Sequence, residues 1–220
     1  MNSIPESRSP VTAPQQHRSV QTQKRILDVV EKHLLGGTFD DITVQDLVSE
    51  AGSSVGAFYG RFANKAAAVY RFYDDRCHDL EDQVTAVLDP DRVESLAELL
   101  EIFTKTVVHR TFAYAPIIKS DSLRLATDTD SPFTLRAREL NTRLLNTVRR
   151  CLDARQGEMA HRSSHETALF VLALVGGMSR DAVVSGGRLV DDLGEFNAEL
   201  FARELNRAVA GYLGVVARKS

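Results

Sequence analysis

The chain has 220 residues, of which 43% are hydrophobic, so it is long enough to bury the core of one or two domains. Its formal net charge of -3 excludes a uniformly basic nucleic-acid-binding protein, so any anion-binding surface must be local. No apolar run approaches the roughly 20 residues that span a bilayer, and the nearest run is Ala168–Met178. Cys77 and Cys151 form no C-x-x-C motif and no secretory leader precedes them, which predicts a cytoplasmic protein with no membrane partner.

Residues 1–18 combine three prolines with polar residues and little to bury, which predicts a disordered N-terminal arm. The arm either extends its basic side chains towards a DNA minor groove or is a passive tail. A first helix follows, with an apolar stripe that recurs at helical spacing until Gly36 and Gly37. The stripe consists of Ile26, Val29, Val30 and Leu34.

Residues 43–65 predict two short helices joined by a tight turn. Thr43 is a good N-cap for the first helix, because its hydroxyl can accept a backbone N–H from the first turn. Gly52 permits the left-handed backbone that ends a helix, and Ser53 or Ser54 then caps the next one. This arrangement is a helix-turn-helix, a motif that docks on DNA.

The second of these helices is expected to bury Phe58 and to leave small residues on its other face. Gly56 and Ala57 occupy that face, although glycine in a helix interior costs about 1 kcal/mol relative to alanine. Small residues are useful where a helix must approach another surface closely, as in the major groove of DNA. Lys65 opens the following helix, where a cation is unfavourable unless an anion such as a phosphate lies nearby.

Residues Ala51–Lys65 resemble, without gaps, the signature of the tetracycline-repressor (TetR) family, roughly Ala-Gly-Val-Ser-x-Gly-Thr-Leu-Tyr-x-His-Phe-x-Ser-Lys-Glu. Gln23–Thr43 resembles the first helix of that family and its following loop, so the resemblance covers about residues 20–70. Four of the departures from the signature leave the base preference open. These are Ser53 for Val, Ala57 for Thr or Ser, Arg61 for His or Tyr, and Ala66 for an acidic residue.

The resemblance implies a transcriptional regulator that binds a double-stranded DNA operator, in most members as a repressor. By position, the expected DNA-binding residues are Thr43, Ser54, Val55, Gly56, Ala57, Tyr59, Arg61 and Lys65. Val55, Gly56 and Ala57 would face bases, through thymine methyl groups or DNA shape, and the larger polar residues would contact phosphates. Tyr59 is equally well interpreted as a core aromatic residue, and Phe62 as core.

The whole sequence predicts an all-α fold of about nine helices. We expect a helix-turn-helix domain over residues 19–66 and, over 67–220, a connector helix followed by an effector-binding and dimerisation domain. Basic and acidic residues are equal in number between 18 and 65, so few phosphate contacts are expected. No cofactor or catalytic residue is expected.

The last two helices are apolar on more than one face and contain small residues. By resemblance, they form the interface of a homodimer. The expected interface residues are Gly176, Ser179, Ala182, Val183, Leu200, Leu205 and Val209. A two-fold dimer would read a pseudo-palindromic operator with half-sites about 34–36 Å apart.

The family also implies a pocket for a small-molecule effector in the C-terminal domain. Candidate apolar lining residues are Phe103, Val107, Phe112, Leu144, Val148, Leu172 and Met178. Candidate polar anchors are Arg110, Arg124 and Asn141. A plain core obeys the same periodicity as a pocket lining, and so remains the alternative for each aliphatic residue.

Three alternatives to this interpretation were weighed. His161 and His165 have a spacing that can bind a metal, but a helix cap at Ser163 or Ser164 would put their rings on different faces, so no metal is expected. An enzyme in the C-terminal domain would need convergent catalytic groups, and no such motif occurs. A non-DNA-binding adaptor or interaction protein is the third, motivated by the neutral helix-turn-helix region and by Ala57 in place of a hydroxyl.

Overall fold

The computed structural model describes residues 13–37, 39–89, 91–92, 94–119, 130–189 and 197–215. Over these residues the chain is helical without a β-strand, which confirms the predicted all-α fold. The helices are α1 (Ala13–Leu35), α2 (Val44–Glu50), α3 (Val55–Tyr59), α4 (Lys65–Val87), α5 (Leu96–Ala113), α6 (Pro132–Ala154), α7 (His165–Leu172), α8 (Met178–Leu189) and α9 (Ala198–Leu213). Residues 115–119 are also helical, Gln156–Glu158 forms a 3-10 turn, and Ala173–Gly177 is π-helical.

The chain divides into two compact units, Met1–Phe72 and Tyr73–Ser220. The boundary lies inside α4, six residues beyond the boundary expected after residue 66. Ala68 and Val69 explain the difference, because both are buried and belong to the N-terminal unit. The first two turns of α4 therefore complete the N-terminal unit.

The first helix starts earlier than the sequence predicted. α1 begins at Ala13, so the structure places residues 13–18, which were expected to belong to the arm, in this helix. Pro14 lies in the first turn of α1, where the missing N–H of proline interrupts no helical hydrogen bond. The rest of the expected arm, residues 1–12, lies outside the described residues.

The N-terminal unit has a core to which each of its first three helices contributes. Ile26 from α1, Leu47 from α2 and Phe58 from α3 are completely buried. Phe62 follows α3, is also buried, and packs against Phe58 with a distance of 5.2 Å between ring centroids. The predicted burial of these two phenylalanines is confirmed, and α3 is thereby anchored by one face.

The C-terminal unit is a larger helical assembly in which α5 packs along α9 and α6 packs along α7. Its main core cluster has members on every helix from α4 to α7, on the π-helical segment and on α9. The largest fully buried of these are Leu96, Leu99, Leu100, Phe103, Leu152 and Leu213. A second cluster joins α5 to α9 through Val108, Phe201, Ala202 and Leu205.

α7, the π-helical segment and α8 form one continuous helix over residues 165–189. Its His165–Ser185 stretch has a mean hydropathy of 1.6 and is long and apolar enough to cross a membrane, by length and composition alone. The sequence prediction considered only uninterrupted apolar runs and missed this stretch, which contains Arg180 and Asp181. Only 33% of its most apolar window is buried within the chain, so this helix presents an apolar surface.

Candidate nucleic-acid interface

The turn between α2 and α3 has the geometry predicted from its glycine. Gly52 has a φ of +57°, the left-handed conformation that glycine adopts without strain. The N–H of Ser53 donates to the Val48 carbonyl at 2.8 Å, and the N–H of Gly52 donates to the Ser49 carbonyl at 3.2 Å. This pair of bonds is a Schellman motif, which satisfies the last carbonyls of α2 and fixes the direction in which the chain enters α3.

Side-chain caps begin both helices of the motif. The Asp46 N–H donates to the Thr43 hydroxyl at 3.2 Å, and the Thr43 N–H donates to the Asp46 carboxylate at 3.1 Å. The Thr43 hydroxyl also donates to Asp46, and these hydrogen bonds lower the pKa of the exposed Asp46 carboxyl. In α3 the Ala57 N–H donates to the Ser54 hydroxyl at 3.2 Å. The predicted caps are therefore present, but the hydroxyl hydrogen of Thr43 is already committed to Asp46.

One face of α3 is free of packing by the described part of the chain. Gly56 is exposed, and a Cβ atom added there would meet no described atom within 4 Å. Val55 and Ala57 are partly exposed, and the Tyr59 side chain is 55% exposed. Tyr59 contacts Phe58 edge to face, at 5.4 Å between centroids, and this places its ring outside the core. No intramolecular packing accounts for the small residue at position 56.

Arg61 links the end of α3 to the start of α1. Its Nη1 donates to the Ala57 carbonyl at 2.6 Å, and its Nη2 donates to the Ser19 hydroxyl at 3.0 Å. The sequence analysis assigned Arg61 a phosphate contact. In the structure the guanidinium joins α3 to α1, and a phosphate contact by Arg61 stays a prediction.

Lys65 has partners that the sequence analysis did not foresee. Its ammonium donates to the carbonyls of Phe39 at 2.8 Å and Ile42 at 2.5 Å, and it lies 4.7 Å from the centroid of the Phe39 ring. The argument that a cation at the start of α4 needs a nearby phosphate is therefore corrected, because carbonyl dipoles of the loop before α2 supply the negative charge. A phosphate contact by Lys65 stays a prediction without that support.

Basic residues on α1 also lie close to the turn, and two of them, Lys24 and Arg25, were not among the predicted DNA-binding residues. A Cβ atom added at Gly52 would lie 3.7 Å from Nη1 of Arg25, so Arg25 reaches the turn between α2 and α3. A shallow surface depression in the same part of α1 is lined by Arg18, Gln21, Thr22, Lys24 and Arg25. The sequence shows three basic residues within eight positions. It does not show that they lie close to the turn between α2 and α3.

Part of the acidic charge of the N-terminal unit is neutralised locally. Glu50, at the end of α2, forms ion pairs with Lys32 and with His33, the latter at 2.9 Å. These hydrogen bonds lower the pKa of the exposed Glu50 carboxyl, in the order Lys32 then His33. The equal numbers of basic and acidic residues therefore conceal an uneven distribution, in which Arg18, Lys24 and Arg25 share one stretch of α1.

The candidate pocket residues do not line one site. Phe103, Val107, Leu144 and Val148 are buried in the main core cluster, and Leu172 packs against it. Phe112 packs on Phe201 at 5.8 Å, whereas Asn141 and Met178 are exposed. Arg110 is partly buried and donates to the Arg76 carbonyl at 2.7 Å. Arg124 lies outside the described residues. The four buried residues are therefore better described as ordinary core residues than as the lining of a pocket.

The candidate dimer residues divide in the same way. Ser179, Val183, Leu205 and Val209 are buried within their own chain, so the structure corrects their assignment to a subunit interface. Gly176, Ala182 and Leu200 are partly exposed. The large exposed apolar residues of the same continuous helix are different ones, namely Leu169, Phe170, Met178 and Val184. Helical periodicity identified the apolar helix correctly, but it did not identify which of its faces the chain covers.

The two histidines near α7 lie on either side of a helix start. Ser164 caps α7, and the His161 ring, four residues before His165, packs on Tyr212 at 4.6 Å between centroids. Among the described residues, no group of three or more His, Cys, Asp or Glu side chains could hold a metal ion.

The N-terminal unit thus contains a capped helix-turn-helix with one exposed helix face, and a larger helical unit follows it in the chain. The sequence matches no protein-family model and no curated protein. Solved structures that it resembles include FadR from Bacillus subtilis in complex with stearoyl-CoA (TM-score 0.63, 13% identity, 84% of this chain and 96% of that one). Others are TetR-family transcriptional regulators from Streptomyces coelicolor (0.64, 15%, 88% and 95%) and Pectobacterium atrosepticum (0.64, 15%, 93% and 99%). The chain therefore has the fold of the TetR-family transcriptional regulators.

Proposed function

We propose that the protein is a DNA-binding transcriptional regulator that acts as a repressor and is not an enzyme. The observation that carries the proposal is the exposed face of α3, where Gly56 has open space around it and Tyr59 is 55% exposed. A helix that is anchored by Phe58 on one side and bare on the other can enter a major groove. In this proposal Val55, Gly56 and Ala57 face the bases, and Tyr59 contacts a phosphate.

Arg18, Lys24 and Arg25 join this list as candidate phosphate contacts, because they lie on the part of α1 that reaches the turn. Arg61 and Lys65 act as positioning residues that fix the ends of α3 and the loop before α2. With few cations on this surface, the salt dependence of DNA binding should be moderate. Thymine methyl groups and DNA shape would then contribute to specificity.

A charge added at position 56 tests DNA binding without disturbing the fold. Gly56→Glu places a carboxylate in open space, so the protein should fold normally and lose affinity for a duplex selected from random sequence by at least about a hundredfold. Gly157→Glu is the matched control, since a Cβ atom there also meets nothing within 4 Å. If Gly56→Glu binds the selected duplex as the unaltered protein does, or if no duplex is bound at low salt, the regulator proposal fails and the adaptor alternative gains support. Replacing thymine by uracil in the selected duplex should weaken binding if the methyl contacts exist.

We also propose that the protein is a homodimer that reads a pseudo-palindromic operator. The supporting observation is the exposed apolar surface of the continuous helix over residues 165–189, with Leu169 at 49% and Phe170 at 45% exposure. Leu169→Glu should convert a dimer into a monomer in analytical ultracentrifugation at micromolar concentration. Leu135→Glu, at a residue on α6 that is 50% exposed, should leave the dimer intact. A monomeric unaltered protein would contradict this part of the proposal.

The C-terminal unit is proposed to bind a small-molecule effector that releases the protein from DNA. Support comes from the similarity in fold to a regulator that was solved in complex with stearoyl-CoA. Mass spectrometry of molecules that copurify with the full chain would identify the effector class.

The same proposal includes a cytoplasmic location and no membrane partner. Burial of the helix His165–Ser185 between two subunits would account for the apolar composition of that helix.

A further inference from the structure

The C-terminal unit buries a guanidinium group that the described chain does not fully satisfy. Arg136, in the first turns of α6, has a side chain that is only 5% exposed. Its Nε donates to Oδ1 of Asp74, on α4, at 2.6 Å. Its Nη1 is buried without any hydrogen-bond partner among the described residues. An unpaired donor on a buried cation is costly, so this group needs an acceptor.

The hydrogen bond of the second terminal nitrogen of Arg136 depends on which nitrogen of the His78 ring carries a proton. Nη2 lies 3.2 Å from Nδ1 of His78, which must then act as an acceptor. The same Nδ1 lies 2.9 Å from the Asp74 carbonyl, a contact that requires it to donate a proton. One ring nitrogen cannot do both. When His78 donates to Asp74, the whole Nη1–Nη2 edge of Arg136 lacks an acceptor.

A second guanidinium, that of Arg110, lies in the same part of the C-terminal unit as Arg136. Arg110 donates to two neutral oxygens, the Arg76 carbonyl at 2.7 Å and Oε1 of Gln83 at 3.2 Å. Burial raises the pKa of the Cys77 thiol, while the charges of Arg136 and Arg110 act in the opposite direction, so both cations lie near this thiol. Arg76 pairs with Asp79 at 3.0 Å, which leaves Asp74 as the carboxylate bonded to Arg136.

The side chains one turn before and one turn after Arg136 are apolar. Phe133 packs on Tyr73 at 5.3 Å between ring centroids, and Leu140 is part of the main core cluster together with Cys77. His78, by contrast, has a side chain that is 55% exposed, so the charged cluster reaches the surface on that side. Apolar side chains therefore lie one turn to either side of the guanidinium along α6.

We propose that the Nη1–Nη2 edge of Arg136 binds the carboxylate of a small hydrophobic acid. A carboxylate matches this edge in a bidentate arrangement, with one oxygen for each nitrogen. Binding also frees Nδ1 of His78 to donate to the Asp74 carbonyl, so Nη1 and Nη2 of Arg136 and Nδ1 of His78 each gain a partner. That this acid is the effector rests on the proposed function, whereas its binding to Arg136 does not.

Isothermal titration of the full chain with straight-chain monocarboxylates, from acetate to decanoate, tests the proposal. At least one acid should bind saturably, and the primary amide of the same length should bind about tenfold more weakly or worse, because it lacks the charge. Arg136→Gln should lose the preference for the acid. Arg143→Gln is the matched control on the same helix: Arg143 is 55% exposed, pairs with Glu81 at 3.3 Å, and should be dispensable. Failure of every acid to bind, or equal binding of acid and amide, would overturn the proposal.

A second variant separates ligand binding from a merely structural ion pair. Asp74→Asn removes the carboxylate from Nε and should increase the affinity for the acid, and acetate should raise the melting temperature of this variant more than that of the unaltered protein. An ion pair with only a structural role predicts that both variants lose stability and that neither responds to carboxylates, which would also refute the proposal. These titrations contain no DNA. A protein that binds the acid but no duplex refutes the regulator, and one that binds a duplex but no acid refutes only the Arg136 site.

Discussion

The two units of the molecule hold their helices by different means. In the N-terminal unit the short helices α2 and α3 are fixed by local polar contacts, including the Thr43 and Ser54 caps and the carbonyl contacts of Lys65. In the C-terminal unit long helices are held by extended apolar clusters, with ion pairs such as Asp74–Arg136 between them. A small unit that must leave one helix face bare has little apolar area to bury, and therefore depends more on single hydrogen bonds.

The largest effect expected from this comparison comes from removing the anchor of α3. Phe58→Ala should destabilise the N-terminal unit by about 3–5 kcal/mol, since Phe58 is completely buried. Phe103→Ala, at a residue that is 1% exposed, should destabilise the C-terminal unit by a similar amount. Hydrogen exchange would show whether each loss stays within its own unit. If either substitution reduced the hydrogen-exchange protection of both units, the two units would not be independently stabilised.

The next effect concerns the loop that Lys65 holds. Lys65→Met keeps the aliphatic stem and leaves the Phe39 and Ile42 carbonyls without their donor, so the N-terminal unit should lose about 1–3 kcal/mol. Lys32→Met, which removes an exposed ion pair with Glu50, should lose well under about 1 kcal/mol. Thermal denaturation can measure both. Equal losses would mean that the carbonyl contacts contribute no more than a surface ion pair.

A smaller effect separates two adjacent serines. Ser54→Ala removes the cap of α3 and should cost about 1 kcal/mol. Ser53→Ala should cost nothing or stabilise the protein, because the Ser53 hydroxyl is buried without a partner among the described residues. Chemical denaturation of the two variants side by side gives the difference. A larger loss at Ser53 would show that its hydroxyl has a function in the turn.

The smallest effect is a dependence on acid pH. The pKa of Asp46 is lowered in the folded protein by its hydrogen bonds to Thr43, so the unfolded state binds protons more readily. This stabilisation is fully present above the ordinary pKa of an aspartate, about 3.9, and is lost as the pH falls through the lower folded value. Asp46→Asn should flatten the stability profile of the N-terminal unit in that range, whereas an unchanged profile would show that the cap contributes no pH dependence.

The sequence predicted the N-terminal unit well because its signals are local. A cap is recognised from residues three apart, and the left-handed turn at Gly52 requires the residue type that is present. The contacts of Lys65 with residues 23–26 positions earlier, and of Arg61 with Ser19, were not predictable in this way. They depend on the three-dimensional arrangement of α1 and its following loop.

For the C-terminal unit the sequence predicted helices and little about their surroundings. Apolar periodicity is the same whether a face is covered by the chain, by a ligand or by a second subunit. Val107 and Val209 therefore looked suitable for a pocket and an interface, and both lie in the core. Arg136 was missed for the opposite reason, because an arginine on an amphipathic helix is ordinarily expected to face the solvent.

The π-helical segment Ala173–Gly177 has a consequence for how this chain tolerates insertion and deletion. A π segment accommodates one residue more than an α-helix of the same rise, and each residue of an α-helix advances the side-chain direction by about 100°. Deleting one residue within 173–177 would therefore restore a regular α-helix and leave the side chains of α8 in nearly their present directions, with Val183 still in the core. In a regular α-helix the same deletion would turn every following side chain by about 100°. This five-residue stretch should therefore tolerate a one-residue deletion better than the regular helices around it.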